Sequence, residues 1–374
     1  MAKRDRAGDD NAAKVRGNYV SEWFGHRVYP VAVSTAESLA DQSEGRCPFL
    51  TEALETDRPC IKPAGAKGIC TISTHNSGVR ADWLVCPYRA LDLRLLQQVA
   101  RRSFKLPADQ HVHLAPASRI GDLALRSRLW DGLQAGDAVI VYFQDKLGGE
   151  IALSPSDNSP ELSFDVTMVQ IVQADCGPSL GRYAILEVQT MDFHGSYRYV
   201  VRNLQDGLRM HRGRFPEVLS ENVNWLSEKI EGPNIANVFK RTFYQMVLKF
   251  KLAGHETCAG TTLAVPRAVW DSWQRHLGQP QLTPGQNGAY RLRPVDLGDE
   301  AEANSWIYVL DLQVDSPETP TPLRVGQVIE TNAEALIRAA FESAPQFAMQ
   351  AGGPVDRIIP SIYGRLHKLW PELV

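Results

Sequence analysis

The chain has 374 residues, of which 40 are Lys or Arg and 43 are Asp or Glu, so its formal net charge at pH 7 is −3. Hydrophobic residues make up 44% of the chain and charged residues 22%, proportions that exclude a disordered or fibrous protein. A net charge so close to zero also argues against a nucleic-acid partner, because domains that bind nucleic acids are often strongly basic.

The sequence predicts a cytoplasmic protein without a membrane anchor. Residues 1–16 are dense in charge and lack the apolar segment of a secretory signal. No stretch approaches the roughly 18 apolar residues that span a bilayer, since basic residues interrupt even the most apolar helix candidate, Val238–Leu252. The six cysteines of a chain that is not exported are expected to stay reduced.

We predict a flexible segment over residues 1–17, a Cys-rich metal-binding module over 18–90 and a larger unit over 91–374. From Glu22 to about Arg89 the sequence is rich in Gly, Pro, Thr and Cys and has little helical periodicity, which is typical of a compact irregular module. After residue 90, apolar residues at helical spacing alternate with runs of β-branched and aromatic residues. In chain order these patterns predict helices over 91–104 and 122–133, strands over 138–143, 163–172 and 182–190, helices over 199–210, 234–252 and 266–277, a strand over 305–314, and helices over 332–341 and 355–369.

The order of these elements indicates a mixed α/β or α+β fold with a small Cys-rich module near the N-terminus. A short loop joins the strands over 163–172 and 182–190, so we expect an antiparallel pair. Near this loop, Gly177–Gly181 (GPSLG) matches the G-x-S-x-G motif of hydrolases. A strand follows it instead of the required helix, and we therefore interpret it as a turn. The chain has no GxxxxGK[ST], GxGxxG or HExxH motif, so an NTPase, a dinucleotide enzyme or a zinc protease lacks support.

Acidic residues interrupt two of the predicted strands. Asp165 lies in the run LSFDVTMVQI, and Glu187 and Gln189 lie two residues apart in YAILEVQT, where they point to the same face. A buried ionised carboxylate costs several kcal/mol unless it is paired or binds a metal. Carboxylates on adjacent strands are typical Mg²⁺ ligands beside a phosphate, and Glu150 could add a third. Alternatively the strand ends emerge into solvent; the D…ExK pattern of nucleases favours a metal site, although Gln189 stands at its lysine position.

The Gly/Pro-rich region contains four cysteines within a stretch of 40 residues: Cys47, Cys60, Cys70 and Cys86. A region with so few core-forming residues would fold more readily around a tetrahedral thiolate–metal site. The spacing contains no C-x₂-C knuckle, and four separately buried thiols remain the alternative. Cys176 and Cys258 are expected to be ordinary core or loop residues.

Charge is concentrated in three segments. Residues 89–128 contain eight basic and three acidic residues, residues 208–255 contain eight and four, and residues 296–334 contain one and nine. The two basic segments flank the candidate carboxylate site in sequence and suit phosphate contacts, unless they are only solvated helix faces. Four polar side chains of the second basic segment are candidates for reaching base edges: Asn237, Lys240, Arg241 and Gln245.

Seven segments resemble the NotI-type restriction endonucleases. They are WFGHRVYP (Trp23–Pro30), CPFL (Cys47–Leu50), DWLVCP (Asp82–Pro87), YFQDKLGGE (Tyr142–Glu150), EVQTMDFHGSY (Glu187–Tyr197), EGPNIANVFKRTFYQM (Glu231–Met246) and the GH…CAGT stretch (Gly254–Thr261). The resemblance runs from about residue 19 to 373 and is poor near residues 279–304.

This resemblance implies a type II restriction enzyme that cuts both strands of a GC-rich palindrome. It implies a PD-(D/E)xK core over 91–374 in which Gln replaces the lysine. Four residues then form the active-site set: Glu150, Asp165, Glu187 and Gln189. The tetracysteine set becomes a site similar to that of rubredoxin, for which iron and zinc are both suitable metals. A companion DNA methyltransferase is the partner implied in the same system.

The expected mechanism is Mg²⁺-dependent hydrolysis. Asp165 and Glu187 are expected to bind Mg²⁺, with Glu150 assisting a second ion, and Gln189 to orient the attacking water. The ion would activate water and neutralise charge on the phosphate, leaving 5′-phosphates. A palindromic target implies a homodimer with one active site per strand. The rival class is a non-catalytic DNA-binding regulator with a Cys₄ module.

Overall fold

The computed structural model describes residues 17–76, 79–285, 287–292, 303–316, 318–350 and 353–372, without the side chains of residues 236 and 237. The strands are β1 (Tyr19–Trp23), β2 (His26–Arg27), β3 (Ile69–Asn76), β4 (Val79–Leu84), β5 (Val112–Pro116), β6 (Ala138–Phe143), β7 (Ile151–Leu153), β8 (Leu162–Phe164), β9 (Val166–Ala174), β10 (Gly177–Val188), β11 (Phe193–Gly195), β12 (Ile230–Pro233), β13 (Cys258–Pro266), β14 (Thr283–Pro284), β15 (Tyr290–Arg291), β16 (Ser305–Leu312) and β17 (Leu323–Thr331).

The helices are α1 (Ala36–Glu44), α2 (Pro48–Leu54), α3 (Leu93–Ser103), α4 (Leu123–Gln134), α5 (Arg198–His211), α6 (Phe215–Glu221), α7 (Ile235–Leu252), α8 (Arg267–Trp273), α9 (Ala333–Arg338), α10 (Ala344–Ala348) and α11 (Pro354–Leu369). Helices and a large mixed sheet together confirm the predicted α+β class. Among the described residues, no helix has both the length and the apolar character needed to cross a membrane.

The largest sheet has nine strands in the order β14-β15-β17-β16-β13-β10-β9-β6-β5. Strand β13 lies at its centre, parallel to both β10 and β16. Strand β9 runs antiparallel to β10, as the short loop predicted, and also to β6. The GPSLG segment forms no nucleophile elbow, but its interpretation as a turn is wrong, because it lies in the first part of β10 and the turn is at residues 175 and 176.

Helices cover both faces of this sheet. Successive side chains of its central strands point in opposite directions, so each strand contributes residues to both cores. Val265 and Ile307 pack in a core with residues of α7, α8 and α9. On the opposite face, Ala264, Trp306 and Tyr308 pack with α3. Helix α7 is thereby fixed across the face of the strands that contain the predicted carboxylates.

The Cys-rich region is more regular than its composition suggested. It contains α1, α2 and a second sheet with the strand order β2-β1-β3-β4. Trp23 and Trp83 are fully buried and contact the rings of Phe215 and Phe193, respectively. Residues 18–90 therefore share a core with later parts of the chain, and the proposed boundary at residue 90 stays a prediction.

Candidate active site

Asp165 lies at a break in the predicted strand 163–172. The first part, β8, turns away from the large sheet and pairs with β7, whereas the second part, β9, joins that sheet. Ile151 pairs with Phe164, so the preceding residue Glu150 and the following residue Asp165 are adjacent in register. The break therefore brings together two acidic residues that lie 15 positions apart.

The carboxylates of Asp165 and Glu187 each accept a hydrogen bond from a main-chain N–H of the other's segment. The N–H of Asp165 donates to Glu187 Oε1 at 3.3 Å, and the N–H of Val188 donates to Asp165 Oδ2 at 2.8 Å. Glu187 is buried and Asp165 is half-buried. The two carboxylates thus lie side by side, Glu187 on β10 and Asp165 at the bend between β8 and β9, and neither is exposed; the metal site predicted for them stays a prediction.

Lys249 of α7 supplies a buried ammonium group to these carboxylates. Its Nζ donates to Glu187 Oε2 at 2.5 Å and lies 5.6 Å from the centre of the Phe164 ring. Thr261 of β13 anchors the same residue by donating its hydroxyl to the Lys249 carbonyl oxygen at 3.1 Å. Only 3% of Lys249 is exposed, so the ion pair with Glu187 is buried and is not a surface contact.

Gln189 points to the same face as Glu187 and is held by the same helix. The hydroxyl of Thr242 donates to Gln189 Oε1, and Gln189 Nε2 donates to the carbonyl oxygen of Thr190. Thr242 and Lys249 are seven residues apart, about two helical turns, and so lie on one side of α7. One face of the helix thus contacts both Gln189 and Glu187.

The electrostatics of the cluster favour a bound cation. Burial and, to a smaller extent, the nearby Asp165 raise the pKa of Glu187 to about 8 against the opposing effect of Lys249. Burial also raises the pKa of Asp165, while the Val188 N–H and Lys249 oppose the shift. The pKa of Glu150 is raised by burial and by Asp165. Carboxyl groups that resist ionisation in this setting would ionise beside a divalent cation, which compensates for their burial.

The predicted DNA-contacting residues lie on α7, although Lys240, nine residues before Lys249, projects to the opposite side of the helix from the carboxylates. Lys240, Arg241 and Gln245 are exposed, whereas the side chain of Asn237 lies outside the described residues. At about 100° per residue, Gln245 projects between the directions of Arg241 and Lys249. The outer surface of α7 therefore continues from the buried carboxylates to exposed polar and basic groups.

The four predicted thiol ligands line one common cavity. Cys47, Cys60, Cys70 and Cys86 surround it together with Phe24, Lys62 and Tyr88. Cys47 precedes α2, and Cys86 precedes a 3₁₀ helix over Pro87–Ala90, so that main-chain N–H groups face both sulfurs. The four cysteines therefore share one cavity, and the metal site itself stays a prediction.

The chemistry of the cavity fits a thiolate–metal site, but its sulfur atoms lie farther apart than the ligands of a bound ion. A hydrogen bond from Cys70, together with Lys62 and two N–H groups, lowers the pKa of Cys86 to about 6. The Gly68 N–H donates to Cys60 Sγ at 3.3 Å. Within the described residues, however, no three of these sulfurs, and no three ligand atoms of the carboxylate cluster, lie within 4.8 Å of one another. An ion would have to draw each set of ligands inward.

No protein-family model and no curated protein sequence matches this chain. The site therefore rests on its own geometry. That geometry adds two residues that sequence reasoning missed, Lys249 and Thr242, because their helix was interpreted as an apolar segment broken by solvated lysines. The available signal was the position of Lys249 between the buried residues Met246 and Phe250.

Proposed function

We propose that the protein is a type II site-specific deoxyribonuclease with a PD-(D/E)xK-type core, which hydrolyses both strands of a GC-rich palindrome in the presence of Mg²⁺. The observation that carries this proposal is the buried cluster of Asp165, Glu187 and Lys249. It brings two carboxylates and an ammonium group together on one face of adjacent strands. The resemblance to the NotI-type enzymes supplies the restriction activity and the class of target.

The carboxylate cluster fits Mg²⁺ by the chemistry of its donors. Asp165 and Glu187 are oxygen ligands of the kind this ion prefers, and Glu150 lies beside them for a second ion. When bound, Mg²⁺ would neutralise charge on the phosphate and make water a better nucleophile. The raised pKa values of Asp165 and Glu187 follow from burial of acidic groups that such an ion would compensate.

The other polar residues of the cluster have distinct roles. Lys249 places a positive charge where negative charge develops on the scissile phosphate, the role that a strand lysine would otherwise have. Gln189 is neutral and is held by Thr242, so it orients the attacking water by hydrogen bonding. The reaction breaks the P–O3′ bond and leaves a 5′-phosphate and a 3′-hydroxyl.

The exposed surface of α7 suits the DNA next to the scissile phosphate. Arg241 is positioned for a backbone phosphate and Gln245 lies nearest to the carboxylates, whereas Lys240 projects to the opposite side of α7. Because these groups are local, the overall charge of −3 does not oppose DNA binding. In the proposed complex, the DNA phosphates contact basic residues along α7. They approach the carboxylates only where a bound metal ion balances the negative charge.

A palindromic target calls for a homodimer, and α11 offers a surface for it. Its apolar residues at positions 355, 358, 359, 362, 363, 366 and 369 all lie on one side, and each is at least 42% exposed. No residue of α11 is buried. With Trp370, which is 60% exposed, this stripe forms a contiguous exposed apolar surface, a feature that marks protein–protein interaction sites. We propose that it pairs with the same helix of a second copy.

The tetracysteine cavity is proposed as a structural site for iron or zinc. Cys47, Cys60, Cys70 and Cys86 would supply four sulfur ligands, a set that both metals accept. Since Cys60 lies in the loop between α2 and β3 and Cys70 lies in β3, the ion would tie this loop to the sheet. A companion DNA methyltransferase that protects the host sites completes the proposed system.

The test of this function is plasmid cleavage by paired variants. Asp165→Asn and Glu187→Gln should abolish cleavage in Mg²⁺, whereas Asp157→Asn, in the exposed loop between β7 and β8, should cleave like the unmodified protein. Equal cleavage by Asp165→Asn would refute the assignment. An unmodified protein that binds DNA without cutting it would instead support the DNA-binding regulator.

A further inference from the structure

A separate group of ligating side chains lies at the edge of the large sheet. Among the described residues, His111, His113 and Asp137 form the one group of three His, Cys, Asp or Glu residues whose ligand atoms all lie within 4.8 Å of one another. They belong to the edge strand β5 and to the residues just before β5 and β6. None of them takes part in the proposed nuclease site or in the cysteine cavity.

The backbone brings these three residues together. Strands β5 and β6 are parallel, with Val112 opposite Ala138, and the Ala138 N–H donates to the His111 carbonyl oxygen at 2.9 Å. Asp137 therefore lies beside His111. His113 is two residues further along and points to the same side as His111.

The separations of the three ligand atoms match one metal ion. His111 Nδ1 lies 3.2 Å from His113 Nε2 and 3.6 Å from Asp137 Oδ2, and His113 Nε2 lies 2.8 Å from the same oxygen. A tetrahedral zinc ion with bonds of about 2.0–2.2 Å to nitrogen and oxygen separates neighbouring ligand atoms by roughly 3.3 Å. The trio needs only small shifts to meet that geometry.

Gly132 provides independent support, because it creates the space that His113 occupies. It lies near the end of α4, where a glycine costs about 1 kcal/mol relative to alanine. A Cβ at this position would be 2.4 Å from His113 Nε2. Gly132 also accepts a hydrogen bond from the Asp137 N–H at 2.9 Å. Helix α4 thus accepts an unfavourable residue that leaves room for a ligating ring.

We propose that His111, His113 and Asp137 form a binding site for a divalent transition-metal ion of the zinc class. Two imidazole nitrogens and one carboxylate oxygen are ligands that this class prefers over Mg²⁺. The side chain of His111 is 67% exposed, so the fourth coordination position is open to water. The ion ties the edge strand β5 to β6 and places charge on a sheet edge that would otherwise be open to pairing.

The experiment is a Zn²⁺ titration of the full-length protein by equilibrium dialysis, with metal already bound to the cysteines counted first. We expect one additional zinc ion per chain, bound at least tenfold more weakly by His111→Asn and by His113→Asn. His255→Asn, at an exposed histidine outside the trio, is the matched control and should bind like the unmodified protein. Equal binding by His113→Asn and the unmodified protein would overturn the proposal.

Gly132→Ala gives a second measurement that does not depend on removing a ligand. The new methyl group should push the His113 ring away and weaken zinc binding at least tenfold. Alanine is the better helix former, so the variant should keep or exceed the thermal stability of the metal-free protein. Unchanged zinc binding by Gly132→Ala would show that the His113 ring is not held at the metal position.

Discussion

Lys249 carries the positive charge that the D…ExK pattern places two residues after the second carboxylate. Position 189 is glutamine, yet the ammonium group reaches Glu187 from α7 at 2.5 Å. A buried lysine that keeps one carboxylate partner has further donors available for a phosphate oxygen. In the proposed nuclease, Lys249 would therefore supply the charge of the pattern from another position in the chain.

Lys249→Gln should lower the cleavage rate by roughly 10²–10³-fold, the loss typical when one donor to developing charge is removed. The matched control is Lys251→Gln, because Lys251 is on the same helix but is exposed and pairs with Glu334. Single-turnover cleavage of both variants in Mg²⁺ is the measurement. Equal rates for the two variants would contradict the role of Lys249.

The double variant Lys249→Gln with Gln189→Lys separates this role from a purely structural one. Gln189 faces the same side as Glu187, so a lysine there returns the charge to the strand position. We expect at least a tenfold recovery of the rate relative to Lys249→Gln alone. A lysine that served only to pack α7 would not be replaced in this way.

At the scale of elements, a buried ion pair fastens β1 to the 3₁₀ helix over Pro87–Ala90. Arg89 donates through Nε and Nη2 to the two carboxylate oxygens of Glu22, at 3.0 and 3.2 Å, and neither side chain is more than 1% exposed. Burial favours the neutral form of Glu22, but Arg89 outweighs it and holds the pKa of this carboxyl below its ordinary value. The pair joins the two ends of the Cys-rich region.

Glu22→Gln should reduce the free energy of unfolding by about 3–5 kcal/mol, because it leaves the Arg89 charge buried without its partner. The contribution of Glu22 is present above its ordinary pKa of 4.5 and is lost as pH falls towards the lowered folded value. Urea unfolding between pH 7 and 3 measures both effects. Glu318→Gln, which breaks the exposed pair with Arg94, should cost less than about 1 kcal/mol; similar losses for the two variants would contradict this account.

Metal analysis of purified protein tests the cysteine cavity. We expect about one iron or zinc ion per chain, because four thiolates bind a single tetrahedral ion. Cys70→Ser should lose this metal and unfold more easily, whereas Cys258→Ser, at a buried cysteine outside the cavity, should keep it. Full metal content in Cys70→Ser would show that the cavity is not the binding site.

The sequence predicted the elements that have a clear helical period or an unbroken run of β-branched and aromatic residues, and it missed elements that have neither. Strand β6 matches its predicted bounds, and α3, α4, α5, α7 and α11 differ from theirs by one or two residues at most ends. Strand β13 was missed because it is buried on both faces, so it shows no alternation. The Gly/Pro-rich composition of residues 22–89 obscured α1 and α2, which are short and stabilised by packing.

The candidate site was also predicted only in part from the sequence. Asp165 and Glu187 stood out because a carboxylate in an apolar strand is costly to bury unless it is paired or binds a metal. The structure places the two side by side. Lys249 did not stand out, because a lysine in a helix usually faces solvent. Its burial depends on how α7 crosses the sheet, which is a property of tertiary packing and not of local sequence.

At the scale of the whole molecule, the proposed pairing of α11 is what would bring two active sites to one DNA. Ile358→Glu combined with Ile362→Glu places charges in the middle of the apolar stripe and should give a monomer. Light scattering should report twice the 41.5 kDa chain mass for the unmodified protein and for Lys368→Glu, which lies on the opposite face of the helix. The monomer should nick plasmid rather than cut both strands; a monomeric unmodified protein would contradict the pairing of α11.

The uneven charge distribution is another property of the whole molecule. A total of −3 combines two basic segments with one acidic segment, and the described part of the acidic segment lies in and around β16 and β17. Raising the salt concentration should therefore weaken DNA binding even though the net charge is negative. Local cations, and not the total, set the strength of phosphate contacts.

The most direct test of the central claim is digestion of a large GC-rich plasmid with Mg²⁺, with and without EDTA, followed by sequencing of the fragment ends. The account predicts discrete fragments in Mg²⁺, ends that share one palindromic sequence and carry 5′-phosphates, and intact plasmid in EDTA. Plasmid that stays uncut in Mg²⁺, or fragments whose ends share no sequence, would contradict it.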